Sequence, residues 1–325
     1  MRASSLAKIL RAIVKRLAIA IGTLIGASAL VFLGMQAIPG NAAEAVLGAD
    51  GQNPAAVAAL RVKFGLNRPA IERYGSWLWG LLHGSLGTSW SSGEPVWQQI
   101  GGDVGNTAIL AAITFVLLVP ISVSLGVFSA VRRGGVIDNA ITSTAITLIA
   151  VPEFVFGTFL VAAFAVGAGI LPAVTLIRTG EPLFSSPQSL VLPVVTLLAG
   201  SSAGSIRMVR ACMIDVLSSD YIEMVRLKGV SERRLILRHA LPNALGTTIQ
   251  VLALTAAVLA GGVVVVETLF QFPGMGNELV GSVSARDVPT VEAIVMVITA
   301  FYVVVNLLAN LAVTLLNPRL RRARL

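Results

Sequence analysis

Six long apolar stretches without a single lysine or arginine constrain this chain of 325 residues more than any other feature of its sequence. A helix that crosses the hydrocarbon core of a bilayer needs about 20 consecutive, mostly apolar residues. We therefore predict an all-α membrane protein with six transmembrane helices. The six stretches cover residues 17–38, 104–131, 139–171, 190–206, 244–270 and 291–316.

The third stretch is the longest and contains Pro152 and Glu153 near its middle. It is long enough for two short spans, but these would reverse every later loop and place the basic segment 207–243 outside. We therefore predict one long helix that is kinked or tilted, because a proline removes a backbone hydrogen bond and bends a helix.

Basic residues are concentrated on one side of this predicted topology. The chain has 24 lysine and arginine residues against 16 acidic residues, a formal net charge of +8. With six spans, 18 of the 24 fall in the termini and in the connections after the second and fourth spans. Since cytoplasmic loops are enriched in lysine and arginine, both termini are expected in the cytoplasm. The positive charge then indicates topology, and a nucleic-acid partner is not expected.

The chain accordingly divides into a cytoplasmic N-terminus, a first span, an external segment, a core of five spans and a basic cytoplasmic tail. The core contains one large cytoplasmic loop. In the same order these segments are 1–16, 17–38, 39–103, 104–316 and 317–325, with the loop over 207–243.

The external segment contains all four tryptophans of the chain, Trp77, Trp79, Trp90 and Trp97. Tryptophan favours the membrane–water interface. We therefore expect short amphipathic helices that lie along the outer surface. A docking surface for an extracellular partner is compatible with this interpretation.

Motifs of nucleotide-binding and metal-dependent enzymes are missing from the sequence. None of the four lysines stands in a G-x-x-x-x-G-K-[ST] loop, and there is no H-E-x-x-H pattern. One cysteine, Cys212, and two widely separated histidines do not form a metal-ligand cluster. We expect neither a catalytic site nor a metal site in this chain.

Three acidic residues lie within or at the ends of the apolar stretches. Glu153 is midway along the third stretch, Glu267 is near the outer end of the fifth, and Glu292 opens the sixth. A carboxylate inside a membrane is costly and commonly functional. Glu153 either lines a polar pathway or satisfies the kinked backbone, whereas Glu292 is expected to be solvated at the interface.

The loop between the fourth and fifth stretches has the pattern of two short helices joined at a glycine. The run D-Y-I-E from Asp220 resembles a capping box, so that a helix over 221–228 would end at Gly229. Ser231 would cap a second helix, over 232–240, that stops before the following proline.

The first of these helices would present one apolar face. Tyr221, Met224 and Val225 are spaced by three and four residues and would share it. The face packs either on the chain's own membrane helices or on a cytoplasmic partner, and the residues alone leave both interpretations open.

The same loop resembles the cytoplasmic loop of ABC importer permeases. Residues 220–243 read DYIEMVRLKGVSERRLILRHALPN, and the family pattern is an E-A-A triplet, a glycine and a closing Leu-Pro. The triplet position is held by 223–225, the glycine by Gly229, and the ending by 241–242. Of the triplet only the glutamate is kept.

Four further segments resemble the peptide branch of these permeases. Residues 60–90 are similar to its external L-R-x-x-x-G-L-x-x-P stretch, and 103–139 to its second span followed by R-G-G and Asp138. The run ETLFQFPGMG at 267–276 matches E-x-x-F-x-x-P-G-x-G. The closing motifs are R-D-V-P at 286–289 and N-P-R at 317–319, where asparagine replaces aspartate. Nearly the whole chain thus resembles the first of the two permease subunits of bacterial dipeptide and oligopeptide ABC importers.

This resemblance implies a type I ABC importer permease architecture in the bacterial plasma membrane. It also implies three kinds of partner: a second homologous permease subunit, one or two ABC ATPase subunits and an extracytoplasmic substrate-binding protein. ATP and magnesium would be bound by the ATPase subunits, and no cofactor by this chain. The coupling helix and its turn, which dock on an ATPase in this family, would be formed by Tyr221, Glu223, Met224, Val225 and Gly229.

Candidate residues of the translocation pathway lie in the third stretch and around the end of the fifth. Glu153 is a candidate for its lining. The residues where the fifth stretch meets the outside, Glu267, Phe270, Phe272 and Pro273, are candidates for an outer gate. The alternative for them is an interfacial re-entrant turn without a gating role.

The predicted function is therefore that of a non-catalytic translocation subunit in an ATP-driven importer of di- or oligopeptides. By resemblance, the same branch also includes importers of nickel, glutathione, opines and haem. An ion-coupled secondary carrier that works as a single chain is the alternative from another class, although the sequence shows no inverted repeat. An intramembrane enzyme is a third class, which the missing motifs disfavour.

Overall fold

The computed structural model describes residues 2–38, 40, 42–47, 52–175, 177 and 183–316. The predicted basic tail, 317–325, lies outside these residues, as does Arg178. The part that is described is helical and contains no β-strand, apart from one isolated bridge between Thr88 and Pro95.

Thirteen α-helices follow one another in the described part of the chain. They are α1 (Arg2–Ala37), α2 (Ala42–Leu47), α3 (Pro54–Lys63), α4 (Ala70–Leu82), α5 (Val96–Val131), α6 (Val136–Ala150), α7 (Glu153–Leu160), α8 (Gln188–Leu217), α9 (Asp220–Leu227), α10 (Glu232–Arg234), α11 (Leu241–Leu269), α12 (Met275–Ser284) and α13 (Val288–Leu316). Two π-helical segments, Val161–Gly167 and Leu235–Ala240, continue α7 and α10, and a 3-10 turn covers Leu183–Ser185.

Five of the six apolar stretches each correspond to a single helix, namely α1, α5, α8, α11 and α13, although α1 and α11 end one residue before their stretches do. Four helices contain segments that are long and apolar enough to cross a membrane: Val14–Ala37, Val96–Val131, Gln188–Leu217 and Val288–Leu308. The pair α6–α7 makes a fifth crossing if it is one broken span. Length and apolarity in the described residues thus support four or five crossings.

The third stretch is not the single kinked helix that the sequence predicted. Helix α6 ends at Ala150, α7 begins at Glu153, and the two axes differ by 106°. Val151 is extended, with φ of −90° and ψ of 123°. This is the conformation that a following proline favours, since its ring disfavours the helical region for the preceding residue. The predicted position of the bend is right, but the helix is broken rather than bent.

The chain divides into two compact units. Unit 1 contains Ala108–Phe272 together with the described residues 2–8 and 304–316. Helix α8 is its central element, because it packs against α6, α7 and α11. The core is formed by buried leucine and valine side chains of α5, α7, α8 and α11. Gly126 of α5 approaches α8 so closely that a Cβ atom there would lie 2.6 Å from the Cβ atom of Val209.

Unit 2 contains Ile9–Thr107 and Pro273–Val303. Its core joins the beginning of α5 to α12 and α13 through Val96, Ile100, Met275 and Ile294. The short helices before α5 have local stop and start signals. Asn53 caps α3, because its Oδ1 atom accepts a hydrogen bond of 3.1 Å from the backbone N–H of Ala55.

Candidate functional site

The two short helices predicted after the fourth stretch are present, with shifted ends. Helix α9 begins at Asp220, so that Ser219 occupies the N-cap position and makes no side-chain capping bond. The predicted capping box is therefore wrong. The predicted role of Gly229 at the end of this helix is confirmed. Its φ is +77°, a conformation that favours glycine at a helix end.

The sequence predicted that the second short helix stops before Pro242, but it does not. Helix α10 continues through the π-helical turn Leu235–Ala240 directly into α11, which has the proline in its first turn. Proline has no backbone N–H and its ring clashes with the carbonyl four residues earlier, so a widened turn accommodates it. The loop is thus continuous with the fifth apolar stretch.

One side of α9 is anchored in an apolar cluster. Ile222 is fully buried and belongs to a cluster with Met213 of α8 and Leu235 of the π-helical turn, and Val225 packs against it. Burial of a side chain of this size contributes about 1.5–3 kcal/mol. The predicted shared face of Tyr221, Met224 and Val225 is therefore split, with Val225 facing the chain's own helices.

The opposite side of α9 is exposed and partly apolar. Met224 is 56% exposed and Leu227 77% exposed. Glu223 and Gly229 are exposed as well. Sequence reasoning missed Leu227, although its spacing of three residues from Met224 could have indicated it. We refer to the exposed residues Met224 and Leu227 as the α9 patch.

Polar contacts fix the orientation of α9. The hydroxyl of Tyr221 accepts a hydrogen bond of 2.9 Å from Nδ2 of Asn243 and donates one of 3.2 Å to the carbonyl of His239. Across the turn at Gly229, Nε of Arg226 donates to Oε1 of Glu232 at 2.7 Å. The Arg226 guanidinium lowers the pKa of Glu232, so this exposed pair stays charged at neutral pH.

Glu153, the candidate pathway residue, stands in the first turn of α7, directly after the break. Its carboxylate packs against two glycines. A Cβ atom at Gly200 of α8 would overlap it, and one at Gly262 of α11 would lie 2.8 Å from its Oε2 atom. Both helices therefore meet Glu153 at positions that have no side chain.

A cavity of about 750 Å³ lies in unit 1 and is lined by residues of α6, α8 and α11. Gly200 belongs to its lining, so the cavity borders the position of the Glu153 contact. The lining also supplies two cations, Arg207 and Arg210, and three hydroxyl groups, from Thr142, Ser201 and Thr255. Arg207 is exposed and can bind a polar ligand by charge, whereas Arg210 and Thr142 also contact Asp138.

The α8 segment G-S-S-A-G at 200–204 has the spacing of a G-x-S-x-G nucleophile motif. That motif functions as a sharp turn between a strand and a helix, which exposes the serine. Here the five residues lie within the continuous helix α8, and the serine, Ser202, is buried. The segment therefore does not have the geometry of a hydrolase site.

We expect Gly200→Ala to displace the Glu153 carboxylate and to lower the thermal unfolding midpoint of the purified chain. Gly204→Ala is the matched control, since nothing lies within 4 Å of a Cβ atom there and alanine is favoured over glycine in a helix by about 1 kcal/mol. Adding Glu153→Ala should suppress the effect of Gly200→Ala, with a coupling of about 0.5–3 kcal/mol. Equal effects at positions 200 and 204 would contradict the assigned contact.

A partly buried ion pair, which sequence reasoning missed, joins α6 to α8. Arg210 donates from Nε and Nη2 to the two carboxylate oxygens of Asp138, at 2.6 and 2.8 Å. The same carboxylate accepts hydrogen bonds from the hydroxyl of Ser129 and, at 2.8 Å, from the backbone N–H of Gly134. This geometry is the strong, two-pronged form of a charge-assisted contact. Through Asp138, the motif noted above thus connects the turn between α5 and α6 to α8.

The candidate gate residues of unit 1 are buried. Phe270 and Phe272 belong to its apolar core, and Glu267 is fully buried. The chain turns between the two phenylalanines at Gln271, which has a φ of +48°, an uncommon conformation for a residue other than glycine. In unit 2, the carbonyl of Pro273 accepts a hydrogen bond of 2.8 Å from Nδ2 of Asn106.

Two acidic residues of unit 2 have roles that the sequence did not reveal. Asp287 of the R-D-V-P motif is fully buried and accepts hydrogen bonds from the hydroxyls of Ser89 and Ser91 and from the backbone N–H of Trp90. It thereby ties the segment before α5 to the start of α13. The prediction that Glu292 is solvated is wrong, because this residue is 2% exposed.

Comparison with protein families identifies the class of membrane protein to which this geometry belongs. Residues 122–322 match the family model of the inner membrane component of binding-protein-dependent transport systems. Residues 9–111 match the model of the N-terminal part of such membrane components. The chain belongs to this family. Several apolar helices and membership of the family together indicate an inner membrane protein that crosses the bilayer several times.

Individual members of the family are similar to the chain over almost its whole length. The dipeptide transport system permease protein DppB of Escherichia coli K12 is 30% identical over 338 residues, which cover 97% of this chain and 100% of the relative. A candidate peptide transport system permease protein of Brucella abortus is 34% identical over 313 residues, or 95% and 98% of the two chains. The probable peptide ABC transporter permease protein y4tP of Sinorhizobium fredii is 34% identical over 309 residues, or 95% and 98%.

Proposed function

We propose that this inner membrane component is the translocation subunit of an ATP-driven importer of di- or oligopeptides and forms half of its pathway. The observation that carries the proposal is the similarity, over at least 95% of the chain, to permeases named for peptide or dipeptide transport. The chain itself is non-catalytic in this proposal, and ATP hydrolysis takes place on partner subunits.

The proposed topology has six crossings with both termini in the cytoplasm. Helices α1, α5, α8 and α13 supply four crossings, the broken pair α6–α7 supplies one, and α11 supplies the sixth. The argument for this count is the charge distribution, since six crossings place 18 of the 24 basic residues on the cytoplasmic side. The architecture is then that of a type I ABC importer permease.

The proposed coupling site is the α9 region. Met224 and Leu227 would contact a cleft of an ABC ATPase subunit, together with Glu223 and Gly229. The burial of Ile222 and the hydroxyl contacts of Tyr221 support this role, because they fix α9 to α8 and α11. A movement imposed on the α9 patch would thus reach the membrane helices. Val225 would act from the inner side of α9 by packing in the anchoring cluster.

The proposed pathway residues are Glu153 and the segment that ends α11. Glu153 contributes a carboxylate next to the cavity of unit 1. Phe270 and Phe272, with Glu267 one turn earlier and Pro273 after them, would form part of an outer gate. The burial of Phe270 and Phe272 is consistent with a closed gate, because opening the gate would expose these side chains.

The proposed partners are a second homologous permease subunit, one or two ABC ATPase subunits that bind ATP and magnesium, and an extracytoplasmic substrate-binding protein. Affinity purification of the chain from its native host in mild detergent tests this set. We expect a second multi-spanning permease and the ATPase subunits to co-purify. Recovery of the chain alone, together with proton-driven transport in vesicles, would instead show a secondary carrier and contradict the proposal.

A further inference from the structure

A second group of polar side chains surrounds a cavity in unit 2. The cavity has a volume of about 280 Å³ and is lined by residues of α1, α3, α4 and α13 and of the segments beside them. Three buried atoms of its lining, Oε1 of Glu292, Nε of Arg73 and Nε1 of Trp77, make no hydrogen bond within the described part of the chain. Leaving a buried polar group unpaired costs about 1–3 kcal/mol, and more for a charged one.

The side chains that carry these atoms are held in place by their neighbours. The guanidinium of Arg73 donates from Nη2 to Oε1 of Gln36 at 2.8 Å, and it lies 5.8 Å from the ring centroid of Phe32. Burial lowers the pKa of Arg73 from its usual value, and Glu292 opposes this shift. Arginine nevertheless stays charged in proteins. The lining of the cavity therefore presents a cation that its neighbours hold, an indole donor and a buried carboxylate acceptor.

The charges of the lining define the chemistry of a matching ligand. Among the described residues of the lining, Glu292 is the only acidic one, whereas Lys63, Arg68 and Arg73 are basic. A ligand that pairs with both the acidic and the basic groups carries an ammonium group for Glu292. A few bonds away it carries an oxyanion for the cations and the indole N–H. Two sources supply this combination: the phosphoethanolamine headgroup of a phospholipid, and a free amino acid or peptide.

The surroundings of the cavity favour the lipid. The two helices that supply part of its lining also carry exposed apolar side chains: α1 exposes Leu30 and Leu33 by 73% and 62%, and α4 exposes Ile71 and Trp79 by 75% and 65%. Acyl chains can pack on these apolar surfaces, and tryptophan is typical of the level of the headgroups. We propose that this cavity binds the headgroup of an ethanolamine phospholipid, with the ammonium group on Glu292 and the phosphate facing Arg73.

Native mass spectrometry of the full-length chain tests the proposal. The purified chain receives equal amounts of phosphatidylethanolamine and phosphatidylglycerol with identical acyl chains, so that the two lipids differ in the ammonium group. We expect the wild type to retain phosphatidylethanolamine with a preference of about tenfold, as for one charge-assisted hydrogen bond. Glu292→Gln should abolish this preference, while Glu94→Gln, an exposed acidic position of unit 2, should keep it.

A second variant covers the case that Glu292→Gln fails to fold. Trp77→Phe keeps the aromatic ring and removes the N–H donor, so it should reduce lipid retention at unchanged helical content by circular dichroism. Equal retention of both lipids by the wild type would overturn the proposal. A preference that survives in both Trp77→Phe and folded Glu292→Gln would do the same. Dialanine is added as a competitor, and if it binds in place of the lipid and requires Glu292, the ligand is a free zwitterion and the lipid assignment is wrong.

Discussion

Replacing Met224 and Leu227 together by aspartate is expected to abolish ATP-driven transport while the chain still folds. Both side chains are more than half exposed on α9, so the charges meet water rather than the core. Removing a hot-spot residue at the centre of an interface costs about 2 kcal/mol or more, and buried unpaired carboxylates add a further penalty. We expect binding of the ATPase to weaken by at least about a hundredfold, measured by co-purification and by peptide uptake in vesicles.

Two further variants separate docking from folding. Val136→Asp introduces the same charge at another exposed apolar position, which is 86% exposed at the start of α6, and should leave uptake unchanged. Ile222→Asp puts a charge into the anchoring cluster and should destabilise the loop itself. If the double variant of Met224 and Leu227 transports normally and retains the ATPase, the α9 patch is not the coupling surface.

Replacing Arg210 by methionine is expected to lower the unfolding free energy by about 3 kcal/mol, because it leaves a buried carboxylate without its cation. The side chain of Asp138 is only 3% exposed, while that of Arg210 is 26% exposed, which places the effect near the lower end of the range for buried pairs. The measurement is the thermal unfolding midpoint of the purified chain in detergent.

Position 207 offers a matched control for this prediction. Arg207→Met removes an exposed arginine one turn earlier on α8 and should change the midpoint little. Adding Asp138→Leu to Arg210→Met removes the stranded charge as well and should recover much of the lost stability, since a buried ion pair replaced by apolar residues is often neutral. Equal midpoints for the Arg210 and Arg207 variants would show that the ion pair does not hold α6 to α8.

Local sequence was sufficient to locate most helices and their breaks. Apolar stretches indicate membrane helices directly. Pro152 restricts the backbone of the residue before it, and Gly229 can adopt the positive φ that ends a helix. The break before Glu153 and the turn after α9 were therefore predictable in place. The angle of 106° was not, since it depends on how α7 packs against α8 and α11.

The features that the sequence did not reveal depend on residues far apart in the chain. Asp138 and Arg210 are separated by 72 positions, and no local pattern pairs them. Glu292 was expected in water because it opens an apolar stretch, but residues of α1 and α4 line the same cavity and cover it. Helical spacing placed Tyr221, Met224 and Val225 on one face, but it could not show that the neighbouring Ile222 directs that helix inward.

The most direct test of the central claim is peptide uptake into proteoliposomes that contain the co-purified complex with its substrate-binding protein. Uptake of a labelled dipeptide should require ATP and magnesium on the side of the ATPase subunits and the binding protein on the opposite side. It should be lost when the double aspartate variant of Met224 and Leu227 replaces the wild-type chain. Accumulation of the peptide by the purified chain alone, driven by a proton gradient without ATP, would contradict the account.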